Sequence, residues 1–227
     1  MRRFPLLVNR PLVYGLTLLL WLAGGVAAVN AAPAERDLGP ELTEREKAFH
    51  VLNRLAFGPR PGDVDRVMEM GWEAWAREQL KPRSIDADAV FDTVAERYPS
   101  LTMNLEQAVA TYRPPYRANE TPEDQQKRNQ LRNAIQKELR DAVLYRAVHS
   151  PRQFEEVILE FWRNHFNIDH SKDDIAYMAP DFERSVLRRH AFGKFEDMLL
   201  ASAPHPAMLT SLANVVSQNP LPERDLR

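Results

Sequence analysis

The sequence contains no cysteine, and this absence excludes several kinds of chemistry before any motif is considered. Without a thiol the chain cannot form a disulfide, offer a thiolate nucleophile or hold zinc through sulfur. It also lacks the cysteine to which a lipid anchor would be attached. The stability of the folded protein must therefore come from a buried core, and 227 residues, 44% of them hydrophobic, are enough to form one.

The sequence is also poor in glycine, with eight residues, and none of them forms a Gly-rich phosphate loop. The nucleophile turn G-x-S-x-G, the zinc-binding helix H-E-x-x-H and the EF-hand loop are missing as well. Adjacent acids such as Glu155 and Glu156 point apart on a helix, so their spacing does not support paired-acid hydrolysis. The sequence thus holds no complete catalytic set, and it predicts no cofactor.

No block of basic residues interleaved with aromatic ones is present either. The chain carries 30 basic and 32 acidic residues, and three of the basic ones, with none of the acidic ones, fall within residues 1–31. The remainder has 27 basic against 32 acidic residues, a net charge of −5. A negative balance without a basic patch argues against nucleic acid as a partner.

The first 31 residues have the layout of a secretory signal peptide. Three arginines precede an uncharged apolar run from Leu12 to Val29, which ends in the small residues "GGVAAVNAA". We expect cleavage after Ala31, which leaves residues 32–40 as a flexible mature N-terminus and no integral membrane span. An uncleaved signal anchor is the alternative, because the run is nearly long enough to cross a bilayer. The protein is expected to be exported, to the periplasm or the extracellular space.

Helix signals recur through residues 41–213, and no stretch shows the apolar and polar alternation of a strand. The sequence therefore predicts an all-α domain, an irregular bundle of about seven to nine helices. Thr43 with Glu46 forms a capping box, and Thr121 before Pro122 starts the longest helix. Further helices are expected over about 61–70, 72–82, 89–97, 105–112 and 151–166, with an exposed loop over "RPPYRANETPEDQQ" and two or three short helices over 188–209.

The segment "FWRNHFNIDH", residues 161–170, is the densest cluster of aromatic and polar side chains. On a helix from Pro151 to about Phe166, the spacing of the apolar residues places the imidazole of His165 toward the protein interior. One interpretation is a core histidine held by one or two hydrogen bonds. The other is a functional imidazole at a buried helix end, with His165 and Asn164 as catalytic candidates. The expected apolar stripe comprises Phe154, Val157, Ile158, Phe161, Trp162 and His165.

A divalent metal site is a further alternative for this segment. His165 and His170 lie five residues apart, roughly 140° around a helix, which is the wrong spacing for one helix face. If the helix breaks at Asn167, however, the following loop can fold back, and His165, Asp169 and His170 become candidate ligands. The sequence "SKDD" that follows is interpreted as a solvated loop that caps the next helix.

Three segments occur in an order that points to one family. "HVLNRLAFGPRPGDVDRVMEMGWEAWAREQL" matches an H-x-L-x-R-x-x-F-G-P pattern, and "FWRNHF" matches F-W-x-N-H-F. "AFGKFEDMLLASAPHPAML" resembles a G-K-F-x-D-L-L segment that ends in P-A-M-L, with Met198 in place of the first leucine. Together they resemble the domain of unknown function 1800 proteins of bacteria. The resemblance implies an exported, mostly helical protein with no established activity. The matched positions are His50, Arg54, Phe57, Gly58, Trp162, Asn164, His165, Phe166, Gly193 and Lys194.

The C-terminal end departs from this pattern. Members of the family continue after the P-A-M-L segment into a second half that opens with an N-E-N-Y-A-R-E-L-x-E-L-H type of motif. Here the polar, proline-containing stretch "SQNPLPERDLR" follows instead. We therefore expect residues 214–227 to be a tail or linker and the chain to be truncated.

Two functions fit these expectations. The first is a periplasmic or secreted module that acts in binding or assembly, with an extracytoplasmic protein or polymer as its partner. The alternative is part of an extracytoplasmic hydrolase, metal-assisted in one version, whose site is completed by a missing C-terminal half. The surroundings of His165 distinguish the two, because enclosure by apolar side chains favours the first and a pocket with other polar groups favours the second.

Overall fold

The computed structural model describes residues 41–115, 118–169, 172 and 174–212. The chain divides into two units, Met1–Glu41 and Leu42–Arg227, and the second contains all the described helices. No strand occurs in these ranges, which confirms the all-α prediction. The α-helices are α1 Glu44–Leu55, α2 Asp63–Met70, α3 Trp72–Gln79, α4 Asp88–Arg97, α5 Leu105–Tyr112, α6 Pro122–His149, α7 Gln153–His165, α8 Ile175–Phe182, α9 Phe195–Ser202 and α10 Pro206–Ser211.

The helix starts follow the local signals of the sequence. The Thr43 hydroxyl accepts a hydrogen bond from the Glu46 backbone N–H, and the Glu46 carboxylate accepts one from Thr43 N at 2.8 Å. The same reciprocal cap joins Thr121 to Asp124 at the start of α6, with Pro122 in the first turn. Both predicted starts are thus confirmed. Such caps stabilise a helix because they satisfy backbone amides that have no partner within the helix.

The corner between α6 and α7 differs from the prediction. The helix was expected to begin at Pro151, whereas α7 begins at Gln153. The Gln153 side chain does not cap its own helix, because its Nε2 donates to the carbonyl oxygens of Ser150 at 2.8 Å and Ala147 at 3.0 Å. The last carbonyls of a helix have no intrahelical donors. Gln153 therefore closes the end of α6 and ties the two helices together.

A π-helical segment, Glu183–Arg188, follows α8 directly. In an α-helix, side chains five residues apart diverge by about 140°. A π-helix pairs residue i with residue i+5 instead. This segment can therefore direct both Glu183 and Arg188 toward α7, where their side chains meet.

The largest core cluster is formed by α7, α8, the π-helical segment, α9 and α10. Leu159, Ile175 and Phe182 lie at its centre, and Met198 and Ala207 close it from the last two helices. A second cluster joins α1, α2 and α3 through Leu52, Val67 and Trp75. None of the described helices is long and apolar enough to cross a membrane. The helix that carries "FWRNH", α7, contributes Leu159 to the largest cluster.

Candidate functional site

The imidazole of His165 lies on the surface, so the prediction that it faces the interior is wrong. Its ring stacks on Phe161 with centroids 5.9 Å apart and meets Phe166 edge-on at 4.9 Å. Phe195, from α9, approaches the same ring at 6.1 Å. His165 is thus surrounded by aromatic rings on an open surface rather than enclosed in the core.

The physical reason is that α7 buries a different face from the one its apolar spacing indicates. None of the six residues of the predicted apolar stripe is fully buried, and Phe161 is 56% exposed. The residues that α7 buries are Gln153, Glu155, Glu156 and Leu159. A helix normally turns its apolar stripe inward. In α7 the side that carries Glu155, Glu156 and Leu159 is buried, whereas on the apolar side Phe161 and His165 are exposed and the other four residues are half-buried.

We call the group of rings formed by Phe161, Trp162, His165 and Phe195, together with the buried ring of Phe166 that packs against them, the aromatic face. Trp162 stacks on Phe195 at 5.9 Å and meets Phe161 edge-on at 4.9 Å. Phe195 is 51% exposed, and the buried Nε1 of Trp162 has no hydrogen-bond partner among the described residues. Two segments far apart in sequence, "FWRNHF" and "GKF", meet at this face. Both segments were identified from the sequence, but their contact was not predicted.

Asn164, the second catalytic candidate, does not join His165 on this face. Its Nδ2 donates to the Glu160 carbonyl oxygen at 3.0 Å and to Glu160 Oε1 at 3.2 Å. Asn164 borders a separate cavity of about 180 Å³ that it shares with Arg163 and Asn167. Consecutive helical residues point about 100° apart, which explains the separation. The catalytic assignment of His165 and Asn164 stays a prediction.

The metal alternative also stays a prediction. The helix ends at His165, close to the expected break at Asn167, and the backbone N–H of Asp169 donates to Ser211 Oγ at 3.1 Å. His170, the third candidate ligand, lies outside the described residues. Across the described ranges, no group of three or more His, Cys, Asp or Glu side chains could hold a metal ion. The expected cap from "SKDD" is not formed by Asp174, whose carboxylate pairs with Arg113 at 2.8 Å.

The buried side of α7 carries a cluster of charges that sequence reasoning missed. Arg188 binds Glu156 through both guanidinium ends, at 3.0 Å each. Arg163 binds Glu183 in the same two-pronged way, at 3.0 and 3.2 Å. Arg146 from α6 lies 3.6 Å from Glu156 and 3.5 Å from Glu183. We call these residues the charged core, which comprises Arg146, Glu155, Glu156, Arg163, Glu183 and Arg188.

The charged core balances three guanidinium groups against three carboxyl groups, and this balance makes burial tolerable. Burial alone would raise the pKa of Glu183, but the nearby Arg163, Arg188 and Arg146 outweigh it and hold that pKa below 4.5. For Glu155 burial prevails and raises the pKa, although Arg188 opposes it. The charged core therefore holds Glu183 ionised in the interior.

One signal in the sequence was available for this cluster. Glu156, Leu159 and Arg163 are three and four residues apart, so an acid and a base share one helix face. Such a face is ordinarily solvated, and its partners Arg146 and Glu183 are distant in sequence. The burial of this face depends on α6 and the π-helical segment, which the local pattern of α7 does not reveal.

The chain matches one known protein family over a region that includes the aromatic face and the charged core. A family model described as "Protein of unknown function (DUF1800)" matches residues 50–223, most of the chain. The match confirms the resemblance drawn from the three sequence segments, two of which meet at the aromatic face. No curated protein and no solved structure matches the chain.

Proposed function

The chain belongs to the DUF1800 family of proteins of unknown function, and we propose that it is an exported binding module. Its aromatic face is the binding surface, and its partner is an apolar segment of another extracytoplasmic protein. The observation that carries this proposal is the orientation of α7. The aromatic side chain of Phe161 is 56% exposed, whereas the charged Glu156 is 1% exposed.

Support for export comes from the layout of residues 1–31. Arginines precede an uncharged apolar run, and small residues follow it where a signal peptidase would cut. The absence of cysteine means that the exported chain needs no disulfide formation after transport. The binding partner is accordingly sought outside the cytoplasm.

Support for a protein partner comes from the chemistry of the aromatic face. Aromatic side chains are enriched at the centres of protein interfaces, where they contribute much of the binding energy. Covering one half-exposed phenylalanine ring contributes about 1 to 2 kcal/mol. A sugar polymer would require several polar groups beside the rings, whereas the exposed polar side chain of the aromatic face is the single imidazole of His165; the amide of the preceding residue, Asn164, is bonded to Glu160. A protein partner therefore fits this surface better than a polymer.

The test uses the full chain, secreted by a bacterial host, with the photoreactive residue p-benzoylphenylalanine at position 161 or 195. We expect the chain in the extracytoplasmic fraction, shortened at its N-terminus to begin near Ala32. We expect illumination to join it to one defined polypeptide. The matched control carries the probe in place of Phe49, which is 51% exposed on α1. Phe195→Ala should reduce the adduct formed from position 161 by about fivefold or more.

Three results would contradict the proposal. Retention of the chain in the cytoplasm would refute export. Equal adducts from positions 161 and 49 would show that the aromatic face has no specific partner. An adduct that resists protease but is removed by glycosidase would identify a polymer instead of a protein.

A further inference from the structure

A second surface, which is lined by basic rather than aromatic side chains, is a cleft of about 500 Å³ between three elements. Its walls are the 3-10 turn Pro82–Ser84, the first turn of α7 and the end of the π-helical segment. Clefts of this volume accommodate small molecules. We call it the cationic cleft, and the side chains that matter for its chemistry are Lys81, Arg83, Glu155, Arg188, Arg189 and Phe192.

The cationic cleft concentrates positive charge in a chain whose net charge is −2. Arg188 is already committed to Glu156 through two bonds of 3.0 Å. Lys81, Arg83 and Arg189 are exposed, and within the described part of the chain none of them forms an ion pair. Three uncompensated cations along one cleft repel one another unless an anion lies between them.

The single carboxyl group of the lining does not neutralise them. Glu155 lies 3.4 Å from Arg188, and its buried Oε2 accepts no hydrogen bond from the described residues. Glu155 is thus directed toward Arg188 and leaves the other three cations available.

The charges of these side chains indicate the chemical class of the ligand. Two guanidinium groups and one ammonium group exceed the charge of a single carboxylate and suit a phosphate dianion, which guanidinium binds through paired hydrogen bonds. Phe192, at the rim, is 40% exposed and offers an apolar surface for an organic group. We propose that the cationic cleft binds a soluble phosphate monoester that carries an apolar or aromatic group.

The experiment is calorimetric titration of the full chain with phenyl phosphate, inorganic phosphate and benzoate at constant ionic strength. Phenyl phosphate should bind most tightly, inorganic phosphate more weakly because it lacks the ring, and benzoate least because it is a monoanion. The variant Lys81→Ala/Arg189→Ala should weaken phenyl phosphate binding by about tenfold or more. Both side chains are exposed, so its melting temperature without ligand should equal that of the unmodified chain.

The matched control is Arg54→Ala/Lys127→Ala, which removes the same two charges from exposed positions on α1 and α6. Its affinity should be unchanged, and equal weakening in both variants would overturn the proposal as a general charge effect. Benzoate binding as tight as that of phenyl phosphate would overturn the phosphate assignment. Binding to phosphatidic acid vesicles without binding of either soluble phosphate would overturn the assignment to a soluble ligand.

A second variant predicts a gain rather than a loss. Glu155→Gln removes the one negative group of the lining, so phenyl phosphate should bind about threefold or more tightly at pH 8. A gain of affinity cannot arise from misfolding. Unchanged or weaker binding at pH 8 would contradict the electrostatic basis of the proposal.

Discussion

At the scale of single residues, the charged core makes ionised side chains part of the interior. Arg146 is 3% exposed and Glu183 is 4% exposed. Arg146 lies near two carboxylates, and Glu183 lies near three guanidinium groups. Removing one member of such a cluster leaves the opposite charges buried without compensation, which costs more than the intact pairs contribute. These residues could not be distinguished in the sequence from charged residues on the surface, because the sequence does not reveal which charged side chains become buried.

Glu183→Gln is therefore expected to lower the free energy of unfolding by about 3 kcal/mol or more at neutral pH. Its neighbours hold the pKa of Glu183 below 4.5, so its contribution is complete above that pH and is lost as the pH falls through the lowered pKa. The difference between variant and unmodified chain should shrink in acid. Urea unfolding at a series of pH values measures both effects.

The matched control for this prediction is Glu160→Gln. Glu160 also pairs with Arg163, at 2.6 Å, but it lies on the surface with its side chain 49% exposed. Exposed pairs contribute about 1 kcal/mol or less. A loss for Glu160→Gln as large as that for Glu183→Gln would contradict the importance of burial.

At the scale of helices, the sequence predicted where elements begin better than which side they bury. The caps at Thr43 and Thr121 depend on side chains within three residues, so the local pattern contains all the required information. The buried face of α7 depends on Arg146 and Glu183, which belong to other elements. The spacing in α7 predicted a buried apolar stripe, but Phe161 and His165 are exposed and the other four residues of the stripe are only half-buried.

Thr121→Ala should lower the free energy of unfolding by about 1 kcal/mol, because the start of α6 loses its cap. Thr93→Ala is the control, since the Thr93 hydroxyl donates to the Ala89 carbonyl oxygen within α4 and caps no helix. Thermal unfolding of both variants measures the difference. An equal or larger loss for Thr93→Ala would show that the cap does not stabilise α6.

At the scale of the whole molecule, the described residues form a helical domain that buries charged side chains such as Glu156 and Glu183 and exposes aromatic rings such as Phe161 and Phe195. The fold class could be predicted from sequence because helix periodicity recurs along the chain and no strand pattern interrupts it. The candidate site could be predicted only in part. "FWRNHF" was identified as the segment to test, but its contact with Phe195 brings together residues about thirty positions apart, which no local pattern encodes.

The proposed binding surface depends on the orientation of α7, and because the chain has no cysteine this orientation can be tested by cysteine labelling. The measurement is the rate at which a thiol reagent labels single-cysteine variants of the native chain. Phe161→Cys and His165→Cys should react within about tenfold of the rate in the unfolded chain, whereas Leu159→Cys should react about a thousandfold more slowly. Slow labelling at positions 161 and 165 together with fast labelling at position 159 would contradict the account.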